Sequence, residues 1–168
     1  REAARLVGAR VREVMGRDRK PFLLENPAHY LEDLPADDGV ADEVGLMNQV
    51  LDLGGCGQLL DLHNLHCNAV NFGFDALAAL ARVRLSRVVE VHIAGGSWPG
   101  GYLMDAHDGA TPAPVWDLLE VVVERAPRLA GVVFELLDDH YEALGTSGIE
   151  RELVRARQIW DRRRRAAA

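Results

Sequence analysis

The sequence predicts an α/β fold of repeated strand and helix units, four of them, amounting to the carboxyl-terminal half of an eight-stranded parallel barrel. Three observations predict it. Four short apolar runs, PFLLE, QLLD, VVEVH and GVVFE, are separated by stretches of helical character. Each run closes on a side chain able to bind a metal: Glu25, Asp61, His92 and Glu135. In parallel α/β folds the functional residues gather at the carboxyl ends of the strands, so four such residues at the same point of successive units describe one site.

The elements follow in order. EAARLVGARVREVMGRD carries an apolar stripe of Ala4, Leu6, Val7, Val11, Val14 and Met15 and reads as a helix. Lys20-Pro21 breaks it, FLLEN is a short buried strand, and Pro27 stops that strand. The acidic LEDLPADDGV at residues 31–40 reads as a surface loop, and ADEVGLMNQVLDL at 41–53 as a helix capped by Gly54-Gly55. GQLLDLHN is the second strand. LHCNAVNFGF mixes polar and apolar residues without a clean period and is expected to be a loop lining a site. Asp75 is placed to cap a short helix, DALAALARV. RVVEVHIAGG is the third strand, and SWPGGYLMDAHDGATPAP a long Gly- and Pro-rich loop of the kind that is more often functional than idle. PVWDLLEVVVERAP is a helix opened by proline, GVVFELL the fourth strand, and IERELVRARQIWDRRRR a closing helix.

At 168 residues the chain suffices for a single domain with a real core, residues 1–168. A closed (βα)8 barrel needs about 200 to 250 residues, and the chain opens on Arg1 directly in a helical pattern, so the amino-terminal half is expected to be missing. The net charge of −7 excludes a general nucleic-acid surface. No apolar run approaches the ~18 residues of a membrane span and there is no secretory pattern, so a cytoplasmic location is expected. Arg162 to Arg165 read as a solvated helix end, and Cys56 and Cys67 as free thiols rather than a disulfide.

With Asp105 and His107 close behind in LMDAH, the strand-end residues imply a polynuclear centre of carboxylates and imidazoles. Carboxylates bridge hard cations, imidazole suits iron and zinc, and neither cysteine is placed for a thiolate-rich site. Asp105 and His107, two apart, share one face if the segment is extended. Asn26, His63 and Asn64 are the nearest residues for orienting the ligands. Glu90 reads as a structural carboxylate of the barrel interior, and Arg128 as a possible ion-pair partner of Glu135.

PFLLENPAHYL, GCGQLLDLHNLHCNAVNFGFDA, RVVEVHIAGG and YLMDAHDG resemble, in order and spacing, the multinuclear non-heme iron-dependent oxidative enzymes, the family of the methanobactin-biosynthesis oxidase. The resemblance runs from about Lys20 to Glu135. It implies a TIM (β/α)8 barrel holding two or three iron ions, with O2 as co-substrate, that oxidises cysteine in a ribosomally made precursor peptide brought by a delivering partner protein. It also implies that Glu25, Asp61, His92, Asp105, His107 and Glu135 are iron ligands, with no catalytic residue beyond them. Family members usually carry Asn where His63 stands and Gly-His where Gly95-Gly96 stand; the segment LLDDHYEALG also departs from the common pattern, and two further histidine ligands belong to strands outside this chain. Two other classes use the same residue types: a divalent-metal hydrolase or isomerase of the xylose isomerase and endonuclease type, and a non-catalytic remnant.

Overall fold

A computed structural model of the chain describes residues 1–17, 20–31 and 43–166. Four strands, β1 (Leu23–Glu25), β2 (Gly57–Asp61), β3 (Val88–Ala94) and β4 (Gly131–Glu135), form one sheet in the order β1-β2-β3-β4. All three pairings are parallel. Sequential parallel order with a helix in each connection is the wiring of a TIM-barrel-like fold, of which this is a part.

The helices are α1 (Glu2–Arg17), α2 (Glu43–Gly54), α3 (Leu62–Phe72), α4 (Ala76–Leu80), α5 (Ala113–Arg125) and α6 (Tyr141–Ala166). Leu60, Val91 and Ile93 pack with Leu62 and Leu65 of α3 and with Val115, Trp116, Leu119 and Val122 of α5. A smaller cluster joins Ala4, Val11, Val50, Leu51 and Cys56, with Leu24 against it. Because strand side chains alternate, Glu25, Leu59, Asp61, Glu90, His92, Val133 and Glu135 fall on the opposite face, away from the helices. That face is open at Val133, which is 39% exposed.

Several expectations need correction. LHCNAVNFGF is not a loop: it is α3, started by Asp61, whose side chain accepts the Asn64 N–H, and ended by Gly73 at φ 70°. The helical period is masked because the helix is buried nearly all round, its polar residues Asn64 and Asn68 included. Read at helical spacing, Asn64, Asn68 and Asn71 form a polar stripe that pins neighbouring loops. Asn64 donates to the Asn26 carbonyl, Asn68 to the Pro27 carbonyl, and Asn71 both donates to and accepts from Leu103.

In α1 the buried line is Ala4, Gly8 and Val11, while Leu6, Val7 and Val14 are exposed. Gly8 sets that line, since a Cβ there would come within 2.7 Å of Leu53 Cβ, so only glycine lets α1 approach α2 this closely. The closing helix starts earlier than expected, at Tyr141, and is broken at Gly145 (φ 65°, ψ 164°). Arg163 is not simply solvated. Its guanidinium donates to the carbonyls of Ala126, Pro127 and Leu129, closing the chain end of α5.

Other expectations hold. Asp75 caps α4, Gly55 follows α2 in a left-handed conformation, and both cysteines are buried and free. The expected loop at 31–40 lies outside the described residues beyond Leu31, and the start expected for α2 at residues 41–42 lies outside them too. Among the described residues no helix is long and apolar enough to cross a membrane.

Candidate metal centre

Register alone does not put the strand-end residues level. Asp61 stands directly opposite His92, but Glu25 is opposite Leu59, two residues before Asp61, and Glu135 is opposite Ala94, two residues after His92. Both offsets run the same way. This is the stagger that tilted strands of a barrel require, and the tilt converts it into a common level across the sheet. The donor atoms of Glu25, Asp61 and His92 accordingly lie within 4.8 Å of one another, a grouping able to hold a metal ion.

The remaining residues join this group. His92 Nδ1 is 3.1 Å from Glu135 Oε1, and His107 Nε2 is 3.6 Å from Glu135 Oε2, so Glu135 offers one oxygen to each imidazole. His107 Nε2 also lies 3.0 Å from Asp105 Oδ1. All six sequence-selected residues are thus brought to one end of the sheet. The pairing of Glu135 with Arg128 is not seen; Glu135 faces the two histidines instead.

Asp105 and His107 reach the site differently from the extended arrangement expected. His107 has φ 50°, outside the extended region, and its carbonyl accepts the Leu137 N–H at 3.0 Å, tying the loop to the end of β4. The turn brings His107 back over Asp105. The Asp105 backbone N–H donates to Tyr30 Oη at 2.9 Å, and His63 Nδ1 meets Asp105 Oδ1 at 2.8 Å. Asn26 fixes the end of β2: its side-chain amide donates to the Asp61 carbonyl at 2.9 Å and accepts the Asp61 N–H at 3.0 Å.

The electrostatics are those of carboxylates and imidazoles crowded together. Burial, opposed by the Asn64 N–H and reinforced by Asp105 and Glu135, pushes the Asp61 carboxyl up to about 7. Burial likewise raises Glu25. His107 is raised by its hydrogen bond to Asp105, against burial. For Asp105 burial acts upward, but hydrogen bonds from His107 and His63 outweigh it and hold the carboxyl well below its ordinary range.

Three buried polar atoms of this group, Asp61 Oδ2, His92 Nδ1 and His107 Nε2, have no aligned hydrogen-bond partner. Buried polar atoms are almost always paired, and these converge on one place. A divalent cation fits them: carboxylate oxygens neutralise its charge and unprotonated imidazole nitrogens supply the softer donors.

The profile of the RiPP precursor modification enzyme family MbnB/TglH/ChrH matches residues 1–160. The chain belongs to this family. It is also similar to curated proteins of the UPF0276 group. That of Anaeromyxobacter sp. strain Fw109-5 is 38% identical over 136 residues, covering 81% of this chain and 45% of the relative. Those of Rhizorhabdus wittichii and Caulobacter vibrioides are each 36% identical, over 121 and 149 residues, covering 72% and 89% of this chain. The chain spans about half the length of the curated relatives it matches, 41% and 51% of these two.

Two residues at the site, Tyr30 and Asn68, escaped the sequence reading. Tyr30 holds the Asp105 backbone from 75 residues away, a contact no local pattern announces. Asn68 holds the segment after β1 by accepting the His29 N–H at 2.9 Å; its helical spacing from Asn64 was the available signal. Glu90, read from the sequence as a structural carboxylate, has its Oε1 3.1 Å from His92 Nε2, a contact that follows from their spacing of two on one strand face.

Proposed function

We propose that the chain is the metal-binding part of an iron-dependent oxidase that uses O2 to modify cysteine residues of a ribosomally synthesised precursor peptide. The observation that carries this reading is the convergence of six carboxylate and imidazole side chains at one end of the sheet, with the donor atoms of Glu25, Asp61 and His92 within 4.8 Å of one another and Asp61 Oδ2 buried without a hydrogen-bond partner, in a member of a family of precursor-modifying enzymes. Residues 1–168 are read as one domain, four of the eight units of a barrel whose remaining units would cover the face open at Val133.

Glu25, Asp61, His92, Asp105, His107 and Glu135 would hold two or three iron ions, with Glu135 placed to serve both the Asp61–His92 side and the His107 side. Bound iron would supply redox chemistry toward O2 and a site for a substrate thiolate. The chain's own residues do the rest. Asn26 and Asn64 set the Asp61 backbone and carboxylate, Glu90 orients the His92 ring through Nε2, and His63 and Tyr30 hold Asp105. The cysteine to be modified belongs to the peptide, because Cys67 is fully buried and burial pushes its thiol up to about 12. A protein that delivers the peptide and a cytoplasmic location complete the proposal.

The test uses the intact protein. Asp61→Ala and His92→Ala are expected to strip iron, measured by elemental analysis, and to abolish the O2-dependent mass change of a cysteine-containing precursor. His140→Ala, in the turn after β4, should retain both. A hydrolase or isomerase would instead work with zinc, magnesium or manganese and consume no O2. Full iron occupancy with unchanged turnover in Asp61→Ala would overturn the assignment.

A further inference from the structure

We propose that His63 is a positioning residue for Asp105, carrying a hydrogen on Nδ1 and donating it to Asp105 Oδ1. The inference deepens the metal centre proposed above and rests on that reading for its effect on iron, but not for the tautomer.

The ring is fully buried, in the first turn of α3. A carboxylate oxygen can only accept, so the 2.8 Å contact of Nδ1 with Asp105 Oδ1 requires the hydrogen on Nδ1. Cys67 Sγ, a weak donor and weak acceptor one helical turn on, lies 3.7 Å from Nδ1 and 3.8 Å from Nε2 and favours neither nitrogen. Asp105 is thus the one strong acceptor within reach of the ring nitrogens among the described residues, and it faces Nδ1.

Asp105 needs such a partner because no strand carries it. It lies in the loop after β3, and its backbone N–H donates to Tyr30 Oη. His63 is immobile by packing: a Cβ at Gly96 would approach its Cε1 to 2.7 Å and the Met104 carbonyl to 2.0 Å, so the loop backbone closes directly over the ring. The first turn of α3 thereby sets two of the six donors, Asp61 through the Asn64 N–H and Asp105 through His63.

The positioning rests on one atom, a donor two bonds beyond Cβ. Asparagine places its amide Nδ2 at that same position, whereas leucine offers no donor. In the intact protein, with ferrous iron as the probe, His63→Leu is expected to weaken iron affinity about 10- to 100-fold against a chelator, and His63→Asn to restore most of it. Two-dimensional NMR of 15N-histidine-labelled protein without metal, with His63 assigned from its loss in His63→Asn, should show a hydrogen on Nδ1. A signal with the hydrogen on Nε2 alone overturns the proposal whatever the protein does with iron. Equal loss of iron in His63→Asn and His63→Leu, or none in His63→Leu, overturns the positioning role. If the wild-type protein binds no iron, the metal reading fails and the NMR result alone decides the tautomer.

Discussion

Asp61→Asn separates the two tasks of one side chain. Asp61 Oδ1 caps α3 by accepting the Asn64 N–H at 2.6 Å, while Oδ2 is buried without a partner. Asparagine caps a helix about as well as aspartate, so the first task survives and only the second is lost. The carboxyl rises from its ordinary 3.8 to about 7 in the fold, chiefly through burial. Each pH unit of that difference is worth about 1.4 kcal/mol, which sets an upper bound of ~4.5 kcal/mol on the destabilisation the ionised group imposes above pH 7. Relaxation and the cost of burying an amide reduce this, leaving an expected gain of about 1–3 kcal/mol for the metal-free Asn variant. The assay is urea denaturation at pH 8 after chelator treatment, with iron content measured in parallel. The expected pair of results is higher metal-free stability and lost iron. A metal-free variant less stable than the wild type would mean that the Asp61 charge is already compensated within the fold and that its unpartnered oxygen needs no cation.

The metal-free chain should be less stable at pH 8 than at pH 5. Asp61, raised from 3.8 to about 7, weakens the fold progressively as the pH rises between those values, and His107, raised above 6.5, loses its contribution as the pH rises through its folded value. Asp105 acts oppositely and only in acid: its carboxyl is held below 3.8, so its contribution is present above that value and lost as the pH falls below it. Denaturation midpoints at the two pH values check the sign, and iron affinity should fall below about pH 7 as protons compete for Asp61. Gly96→Ala should cost about 1–3 kcal/mol and loosen iron binding, because the new Cβ would meet the Met104 carbonyl at 2.0 Å and the His63 ring at 2.7 Å; an unchanged melting curve would refute the close packing. Arg163→Ala should cost about 1–3 kcal/mol without affecting iron content, since its three carbonyl acceptors at Ala126, Pro127 and Leu129 lie at the far end of α5 from the site.

The sequence by itself determined the strand ends and the chemistry they carry. Short apolar runs bounded by Gly and Pro are local signals, and an ionisable residue closing each run marks the carboxyl edge of the sheet, so Glu25, Asp61, His92 and Glu135 were legible, as were Asp105 and His107 from the motif they share. Helix α3 was not, because its amphipathic period vanishes when both faces are buried: LHCNAVNFGF packs apolar residues on the core and asparagines on loops, and only the surrounding fold tells those apart. Tertiary structure also decided what meets what. A two-residue stagger between β1 and β2 and again between β3 and β4 levels the donors, and the left-handed turn at His107 folds it over Asp105. Tyr30 and His63 reach that aspartate from 75 and 42 residues away. Such contacts depend on strand tilt and loop closure, which the whole sheet sets and no local pattern of residues encodes.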